Sequence, residues 1–262
     1  MVRFLLVLSL LFSFLNADKF GSHEKLGEIV PLDLTFVNEK GGSVTLRKLM
    51  DGKPTILTLN YFRCAGVCTL QLNDLAKVLS SLKLTENKDY KVISVSFAED
   101  EPYQLAATKR KNILASITRP FVADAWRFVI GENNSSAVLA KSVGFVYEKQ
   151  VSPTGLAGYI HPAVSVVLSP EGKIVRYFNG VEQLPFDVKM SVLEAGDGKV
   201  GPDIAKTLLF CFAYDKESKN YVFAWGKILG IAMAIFVLGF FIYLILSGIK
   251  KEDHQIKGEN DE

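Results

Sequence analysis

Short apolar runs alternate with helix-like patterns through most of the chain. Two runs of β-branched and apolar residues, Thr55 to Tyr61 and Lys91 to Phe97, have the length of buried strands. Between them, apolar residues recur at steps of four and three over Arg63 to Leu82, which is the spacing of one helix face. The residues on this face are Cys68, Leu72, Leu75, Leu79 and Leu82. This pattern predicts a strand, a helix and a second strand in sequence.

The rest of the pattern continues the alternation and closes in a hairpin. Strands that alternate with helices and end in an antiparallel hairpin are typical of a mixed sheet with helices on both faces. We therefore predict one α/β domain of the thioredoxin-like arrangement. The further predicted elements are strands at 32–37, 126–130, 163–168 and 173–178, a short helix begun by Thr45, helices at 102–117, 135–143 and 186–195, an extended segment at 144–147 and a turn at 169–172.

The two ends of the chain predict export and a membrane anchor. Arg3, the apolar run from Phe4 to Leu15 and the small residue Ala17 resemble a cleaved secretory signal peptide. The 22 residues from Ile228 to Ile249 carry no formal charge and are long enough to cross a bilayer. An exported domain followed by a stop-transfer helix predicts a single-pass protein of the bacterial inner membrane, with its domain in the periplasm. The predicted divisions are a signal peptide at 1–17, the domain at 18–205, a juxtamembrane segment at 206–227, a transmembrane helix at 228–249 and a cytoplasmic tail at 250–262.

Composition narrows the possible classes of protein. The chain has 262 residues, of which 49% are hydrophobic and 22% charged, with 30 basic against 28 acidic side chains. This balance excludes a disordered chain, a collagen-like repeat and a strongly basic nucleic-acid binder, because each of those needs a composition that this chain lacks.

The most informative local feature is a pair of cysteines four residues apart. Cys64 and Cys68 lie where the first buried strand is predicted to turn into the helix. In regular helical geometry their Cα atoms would be about 6 Å apart, within the disulfide range of roughly 4.4 to 6.8 Å. The helix N-terminus would also favour their thiolate forms, so the pair predicts a reversible redox couple or two ligands of a soft metal. A purely structural disulfide is the alternative, although closing so small a loop adds little stability.

A third ligand is suggested by His161, directly before the strand at 163–168, since the other two histidines, His23 and His254, lie near the start of the mature chain and in the tail. Two cysteines and one histidine suit copper, as three-coordinate Cu(I) or as Cu(II) with an added weak ligand. Zinc is the alternative metal, but a structural zinc site normally has a fourth protein ligand. Taken alone, His161 could equally be a hydrogen-bonded loop histidine. The third cysteine, Cys211, is expected to pack as a small hydrophobe, with a copper relay as the alternative.

The residues around these side chains resemble those of the SCO/SenC family of copper-handling, thioredoxin-like proteins. The resemblance covers about residues 25–221. The motifs that carry it are Tyr61-Phe62-Arg63-Cys64, Leu70-Gln71-Leu72-Asn73-Asp74-Leu75, Gly144-Phe145-Val146-Tyr147, His161-Pro162 and Leu168-Ser169-Pro170-Glu171-Gly172.

This resemblance implies copper binding by Cys64, Cys68 and His161, with the two cysteines also acting as a redox pair. It implies copper delivery, or reduction of target cysteines, during assembly of the binuclear copper centre of cytochrome c oxidase. The implied partners are the copper-bearing oxidase subunit and other periplasmic copper or thiol-redox proteins. A metallochaperone is therefore favoured over an enzyme. The alternatives are a metal-independent periplasmic thiol-disulfide oxidoreductase and a peroxide-reducing enzyme of related fold. The second of these is disfavoured, because the reactive cysteine of such an enzyme needs no second cysteine four residues away.

Two positions depart from the family pattern. Many members have proline directly after the first cysteine, where this chain has Ala65. Many also place an Asp-Pro after the second buried strand, where this chain continues from Phe97 through Ala98 to Glu99 and Asp100. Glu99 or Asp100 is the candidate for the missing carboxylate.

Overall fold

The computed structural model describes residues 21–64, 66–98, 100–151, 157–200, 212–215, 220–223, 229–230 and 232–243. Contacts along the chain divide it into two units, with the boundary between Gly201 and Pro202. The signal peptide predicted at 1–17 and Cys211 lie outside the described residues, so both stay predictions.

The first unit contains nine strands and five helices in its described part. The strands are β1 (Thr35–Val37), β2 (Ser43–Thr45), β3 (Thr55–Asn60), β4 (Lys91–Ser96), β5 (Trp126–Gly131), β6 (Glu148–Val151), β7 (Ala157–Ile160), β8 (Val164–Leu168) and β9 (Ile174–Asn179). The helices are α1 (Leu46–Met50), α2 (Val67–Ser81), α3 (Tyr103–Leu114), α4 (Ser135–Ser142) and α5 (Pro185–Gly196).

Seven of these strands form one mixed sheet in the order β2-β1-β5-β4-β3-β8-β9. The three central strands β3, β4 and β5 run parallel to one another. The other neighbouring pairs of this sheet are antiparallel. Parallel central strands place their carboxyl ends at the same edge of the sheet. The turn after β3 and the turn after β4 therefore lie side by side, and this edge carries the candidate site.

Helices cover both faces of the sheet, as predicted. One face buries β3 residues such as Ile56 against α2, α3 and α5. The other face buries β3 residues such as Leu57 against α1 and α4. Successive strand residues point to opposite faces, which is why adjacent residues of β3 belong to two different cores. The predicted helix face of α2 is confirmed, since Cys68, Leu72 and the later positions of the series are buried.

Three elements differ from the sequence prediction. The first predicted strand is shortened to β1, which pairs with an unpredicted strand β2 directly before α1. Helix α2 begins at Val67, with Gly66 as its N-cap, four residues later than predicted. The two-stranded sheet of β6 and β7 was also missed, because residues 148–160 lack the alternation of apolar and polar positions that indicates strands.

The second unit contains an antiparallel hairpin, β10 (Phe212–Asp215) with β11 (Asn220–Phe223), and helical residues at 229–230 and 232–243. Among the residues that the structure describes, no helix is both long and apolar enough to span a membrane. The predicted span at 228–249 extends beyond these residues.

Candidate metal and thiol centre

The two cysteines lie at the junction of β3 and α2. Cys64 belongs to a turn in which its N–H donates to the Tyr61 carbonyl over 3.2 Å, and Cys68 is the second residue of α2. The prediction that both cysteines occupy one regular helix is therefore wrong, because the helix begins only after Gly66. The two thiols nonetheless remain close enough to interact, since each contributes to the shifted pKa of the other. Both are reduced in this structure, and Cys68 is fully buried.

Glu101 holds the Cys64 turn in place. Its carboxylate, which is 5% exposed, accepts hydrogen bonds of 2.7 Å from the N–H groups of Phe62 and Arg63. The same carboxylate accepts a third bond of 2.7 Å from the Ser96 hydroxyl at the end of β4. Glu101 therefore ties the ends of two parallel strands together beneath the turn.

The sequence prediction of Asp100 as the missing carboxylate needs correction, whereas the alternative, Glu99, stays a prediction. Asp100 faces the surface, where it lies 3.3 Å from the exposed Arg63 guanidinium. Glu99 lies outside the described residues. Glu101 reaches the turn because it directly precedes Pro102, whose fixed backbone starts α3 and directs the chain back across the sheet edge. The pair Glu101-Pro102 before a helix was the signal that could have identified this residue.

A second set of contacts holds the Cys64 carbonyl. The Lys109 ammonium on α3 donates to the Cys64 oxygen over 3.1 Å and to the Thr69 hydroxyl over 2.6 Å. The Thr69 hydroxyl donates in turn to the same Cys64 oxygen over 2.7 Å. This triangle joins α3 and the first turn of α2 to the cysteine turn. It was not predicted, because it depends on the packing of two helices.

His161 is far from the two cysteines in the sequence, but the fold brings it into contact with Cys68. It lies between β7 and β8, and its Nε2 atom is 3.2 Å from the Cys68 sulfur. Its Nδ1 atom is 3.0 Å from the Pro162 carbonyl, which can only accept a hydrogen bond. Nδ1 therefore carries the proton, and Nε2 presents its lone pair to Cys68. Burial lowers the pKa of His161, which favours this neutral form.

Aromatic side chains surround the imidazole. Ring centroids of Tyr61, Phe97 and Phe145 lie 5.9, 5.2 and 6.1 Å from that of His161. Tyr159 contacts both Tyr61 and Phe97 at 5.2 Å and extends the cluster along β7. These rings restrict the orientation of the imidazole and limit access of water to it. No regular sequence spacing relates the rings, so the cluster could not be predicted.

Buried amides link the three elements that carry the candidate ligands. Asn60, at the end of β3, donates to Gln71 of α2 over 3.0 Å. Gln71 donates to Ser165 of β8 over 3.2 Å, and Ser165 also accepts from Gln183 over 2.6 Å. Because unpartnered polar groups are costly in a protein interior, this chain of bonds fixes α2 and β8 relative to β3.

The two thiols have opposite electrostatic environments. Burial acts to raise the pKa of Cys64, but the Cys68 backbone N–H and the Tyr61 hydroxyl donate to its sulfur and lower the pKa overall. Burial raises the pKa of Cys68 to about 12, and the adjacent Cys64 sulfur adds to this effect. Cys64 is therefore the more readily ionised thiol of the pair, and Cys68 is the buried thiol that faces His161.

Comparison with known proteins identifies the family of this chain. A sequence model of the SCO1/SenC family matches residues 24–190. The chain belongs to the SCO1/SenC family. A SCO1 protein homolog of Bacillus subtilis (strain 168) is 31% identical over 160 residues, which are 58% of this chain and 75% of that protein. The Sco family is a family of cytochrome c oxidase assembly proteins.

Solved structures of similar proteins share the fold. A candidate electron transfer protein from Aquifex aeolicus VF5 is 29% identical, with a TM-score of 0.57 over 67% of this chain and 96% of that one. Arabidopsis thaliana ScoI, crystallised with copper bound, is 20% identical, with a TM-score of 0.52 over 65% of this chain and 99% of that one. These similarities confirm the predicted thioredoxin-like fold.

The three predicted ligands of this SCO1/SenC protein are partly assembled. Cys68 and His161 are in contact, and Cys64 adjoins Cys68. Within the described parts of the chain, no group of three or more His, Cys, Asp or Glu side chains is already arranged as a metal cluster. Two sulfur atoms and one imidazole nitrogen still form a donor set that suits Cu(I). The three-ligand site therefore stays a prediction.

The difference in pKa predicts selective alkylation of Cys64. Iodoacetamide reacts with thiolates, so in the Cys68→Ser variant Cys64 should react faster at pH 7.5 than an ordinary cysteine, because its pKa is lowered. In the Cys64→Ser variant, Cys68 should react far more slowly at pH 9 than an ordinary cysteine, because the burial that is the main cause of its raised pKa remains. Peptide mass spectrometry measures both rates, and the urea-unfolded variants provide the control. Equal rates for the two cysteines in the folded chain would contradict the assignment.

Proposed function

We propose that this protein carries copper for the binuclear copper centre of cytochrome c oxidase and holds it with Cys64, Cys68 and His161. The observation that supports this most directly is the 3.2 Å contact between the Cys68 sulfur and the His161 Nε2 atom, which joins residues 93 positions apart. Its lone pair makes Nε2 a competent ligand once the Cys68 proton is lost. A neutral imidazole and two thiolates form the soft donor set that Cu(I) prefers.

Delivery follows from the chemistry of the two sulfurs. Copper is the cargo, and cysteines of the copper-bearing oxidase subunit replace the three ligands by exchange. Alternatively, Cys64 and Cys68 form a disulfide, which removes both thiolates from the metal. The two electrons then reduce a partner disulfide to two thiols, so the exchange balances. Both routes leave the protein without copper.

A metal-independent thiol-disulfide oxidoreductase is the second candidate function. The observation that favours it is the asymmetry of the pair, with a lowered pKa at Cys64 and a raised pKa at Cys68. An attacking thiolate that is 7% exposed and a fully buried, protonated thiol beside it suit a two-step exchange of disulfides. In this case His161 would have no ligand role.

Copper uptake tests the proposal. We expect the full chain, purified in detergent and reduced, to retain one Cu(I) per chain in competition with a chromogenic Cu(I) chelator. The Cys64→Ser and Cys68→Ser variants should lose this metal, because each removes a thiolate. Excess Zn²⁺ should not displace it, since the described residues around the site offer no fourth protein ligand. Failure of the reduced wild-type protein to take up Cu(I) would contradict the proposal.

We also propose that the chain is anchored in the bacterial inner membrane by residues 228–249, with its first unit in the periplasm. The support is the uncharged apolar sequence of that segment and the signal-like residues 1–17. The full chain should stay in the membrane pellet after an alkaline carbonate wash, whereas a chain that ends at Gly201 should be released. Release of both by carbonate would rule out the anchor.

A further inference from the structure

A groove lies beside Cys64, between the cysteine turn, the first turn of α2 and helix α3. It has a volume of about 350 Å³. Its lining includes Phe62, Arg63, Cys64, Leu105, Lys109 and Asn112. We infer that this groove receives an extended, acidic, cysteine-bearing segment of the partner protein, and that thiol exchange takes place there. The inference rests on the proposed function, because it names the chemistry and the docking place of the partner.

The position of the thiols makes this groove the route to the redox pair. Cys64 lines the groove, whereas Cys68 is fully buried behind it and faces His161. An incoming sulfur therefore meets Cys64 first. Gly66 adds no side chain next to this sulfur: a methyl group built on it would lie 3.8 Å from the Cys64 sulfur.

The charges of the groove favour an acidic occupant. Two cationic side chains, Arg63 and Lys109, line it, and none of the described lining residues carries a carboxylate. Helix α3, which forms one wall, contains no acidic residue, and its Lys109 lines the groove, whereas Arg110 binds the Trp126 carbonyl and Glu39. Asp100 pairs with Arg63 and offsets part of its charge, so Lys109 is the main cation of the groove, whereas the Glu101 carboxylate accepts from the N–H groups of Phe62 and Arg63 beneath the turn. Acidic residues beside the partner cysteine would therefore be attracted to the groove.

Hydrogen bonding can also hold the segment in place. Among the contacts of the described residues, Lys109 uses two of its three N–H bonds, on Cys64 and Thr69. The exposed Thr108 and Asn112 add polar groups along the same wall. The half-buried Leu105 is an apolar part of the same wall and can contact the cysteine side chain. An extended peptide with a small apolar side chain between acidic ones matches this pattern.

The exchange itself balances without a further reactant. The Cys64 thiolate attacks one sulfur of a partner disulfide, so that a mixed disulfide forms and the other partner sulfur leaves as a thiolate. The Cys68 sulfur then attacks Cys64, forms the internal disulfide and releases the second partner thiolate. Two protons from the protein thiols end on the two partner thiols. The protein is oxidised by two electrons, and the partner is reduced by two.

Two synthetic peptides test the inference on the full chain in detergent. Each carries one cysteine, activated as a mixed disulfide with 2-thiopyridine, and flanked by glutamates in one peptide and by lysines in the other. The Cys68→Ser, Cys211→Ser background leaves Cys64 as the reacting thiol, and release of thiopyridone gives the rate. We expect the glutamate peptide to react about five-fold faster at low ionic strength. Most of this preference should disappear at a salt concentration of about 0.5 M, because the salt screens the charges of the groove and the peptide.

Matched variants locate the effect. Asn112→Glu, which places a negative charge in the groove, should reduce the preference to about one, and Thr108→Glu should do the same if Asn112→Glu folds poorly. Lys141→Gln on α4 makes the same change in net charge away from the groove and should leave the preference intact. Equal rates for both peptides in the parent, or the same effect from Lys141→Gln, would overturn the inference.

Two further measurements separate this inference from the proposed function. Uncharged dithiodipyridine should react at the same rate with the parent and with Asn112→Glu, which shows that the thiol itself is unchanged. Cu(I) uptake by Asn112→Glu in an otherwise wild-type chain should equal that of the wild type. A wild-type protein that binds no Cu(I) but keeps the peptide preference would contradict only the proposed function.

Discussion

Replacing His161 with alanine is expected to lower the affinity for Cu(I) by about 100-fold or more, while the first step of thiol exchange at Cys64 changes by less than about two-fold. The imidazole supplies the nitrogen ligand that faces the Cys68 sulfur at 3.2 Å. Without it, two thiolates remain, and copper loses its third donor. Exchange begins at Cys64, whose lowered pKa depends on the Cys68 N–H and the Tyr61 hydroxyl, so it does not require the imidazole.

Competition with a Cu(I) chelator measures the affinity, and reaction of Cys64 with an uncharged disulfide measures the exchange. His23→Ala is the matched control, because His23 is an exposed histidine on the same unit, away from both cysteines in sequence. It should leave both quantities unchanged. A His161→Ala variant that retains copper as well as the wild type would contradict the ligand assignment and favour the oxidoreductase function.

Replacing Glu101 with alanine is expected to lower the free energy of unfolding by about 3 kcal/mol, the range for leaving several buried polar groups without partners. The N–H groups of Phe62 and Arg63 and the Ser96 hydroxyl would all lose an acceptor at 2.7 Å. Because the first two belong to the Cys64 turn, alkylation of Cys64 should also lose its advantage over an ordinary cysteine. Glu101→Gln keeps an acceptor in place and should lose less stability.

Urea unfolding followed by circular dichroism measures this stability. Asp100→Ala is the matched control. It removes the neighbouring carboxylate, which contacts the exposed guanidinium of Arg63 on the outer side of the turn. Exposed ion pairs contribute little, so this variant should stay within about 0.5 kcal/mol of the wild type. Equal losses for Asp100→Ala and Glu101→Ala would show that Glu101 does not support the turn.

Most of the secondary structure could be predicted from local sequence patterns. The apolar runs of β3 and β4 and the stepped leucines of α2 each record burial along one element, and this depends only on the period of that element. Prediction was weaker where structure depends on partners. β7 forms because it pairs with β6, and the start of α2 is delayed to Val67 by the turn that Glu101 holds. Neither influence is contained in a window of neighbouring residues.

The sequence by itself determined the α/β alternation, the identity of the three candidate ligands and the membership of the family, because residue type and spacing are sufficient for those. Only the tertiary structure decided that His161 meets Cys68, that Glu101 rather than Asp100 supports the turn, and that the two thiols differ in pKa. Each of these depends on distance and burial between segments far apart in the chain. Such distances follow from the parallel order of the strands and the packing of the helices on them.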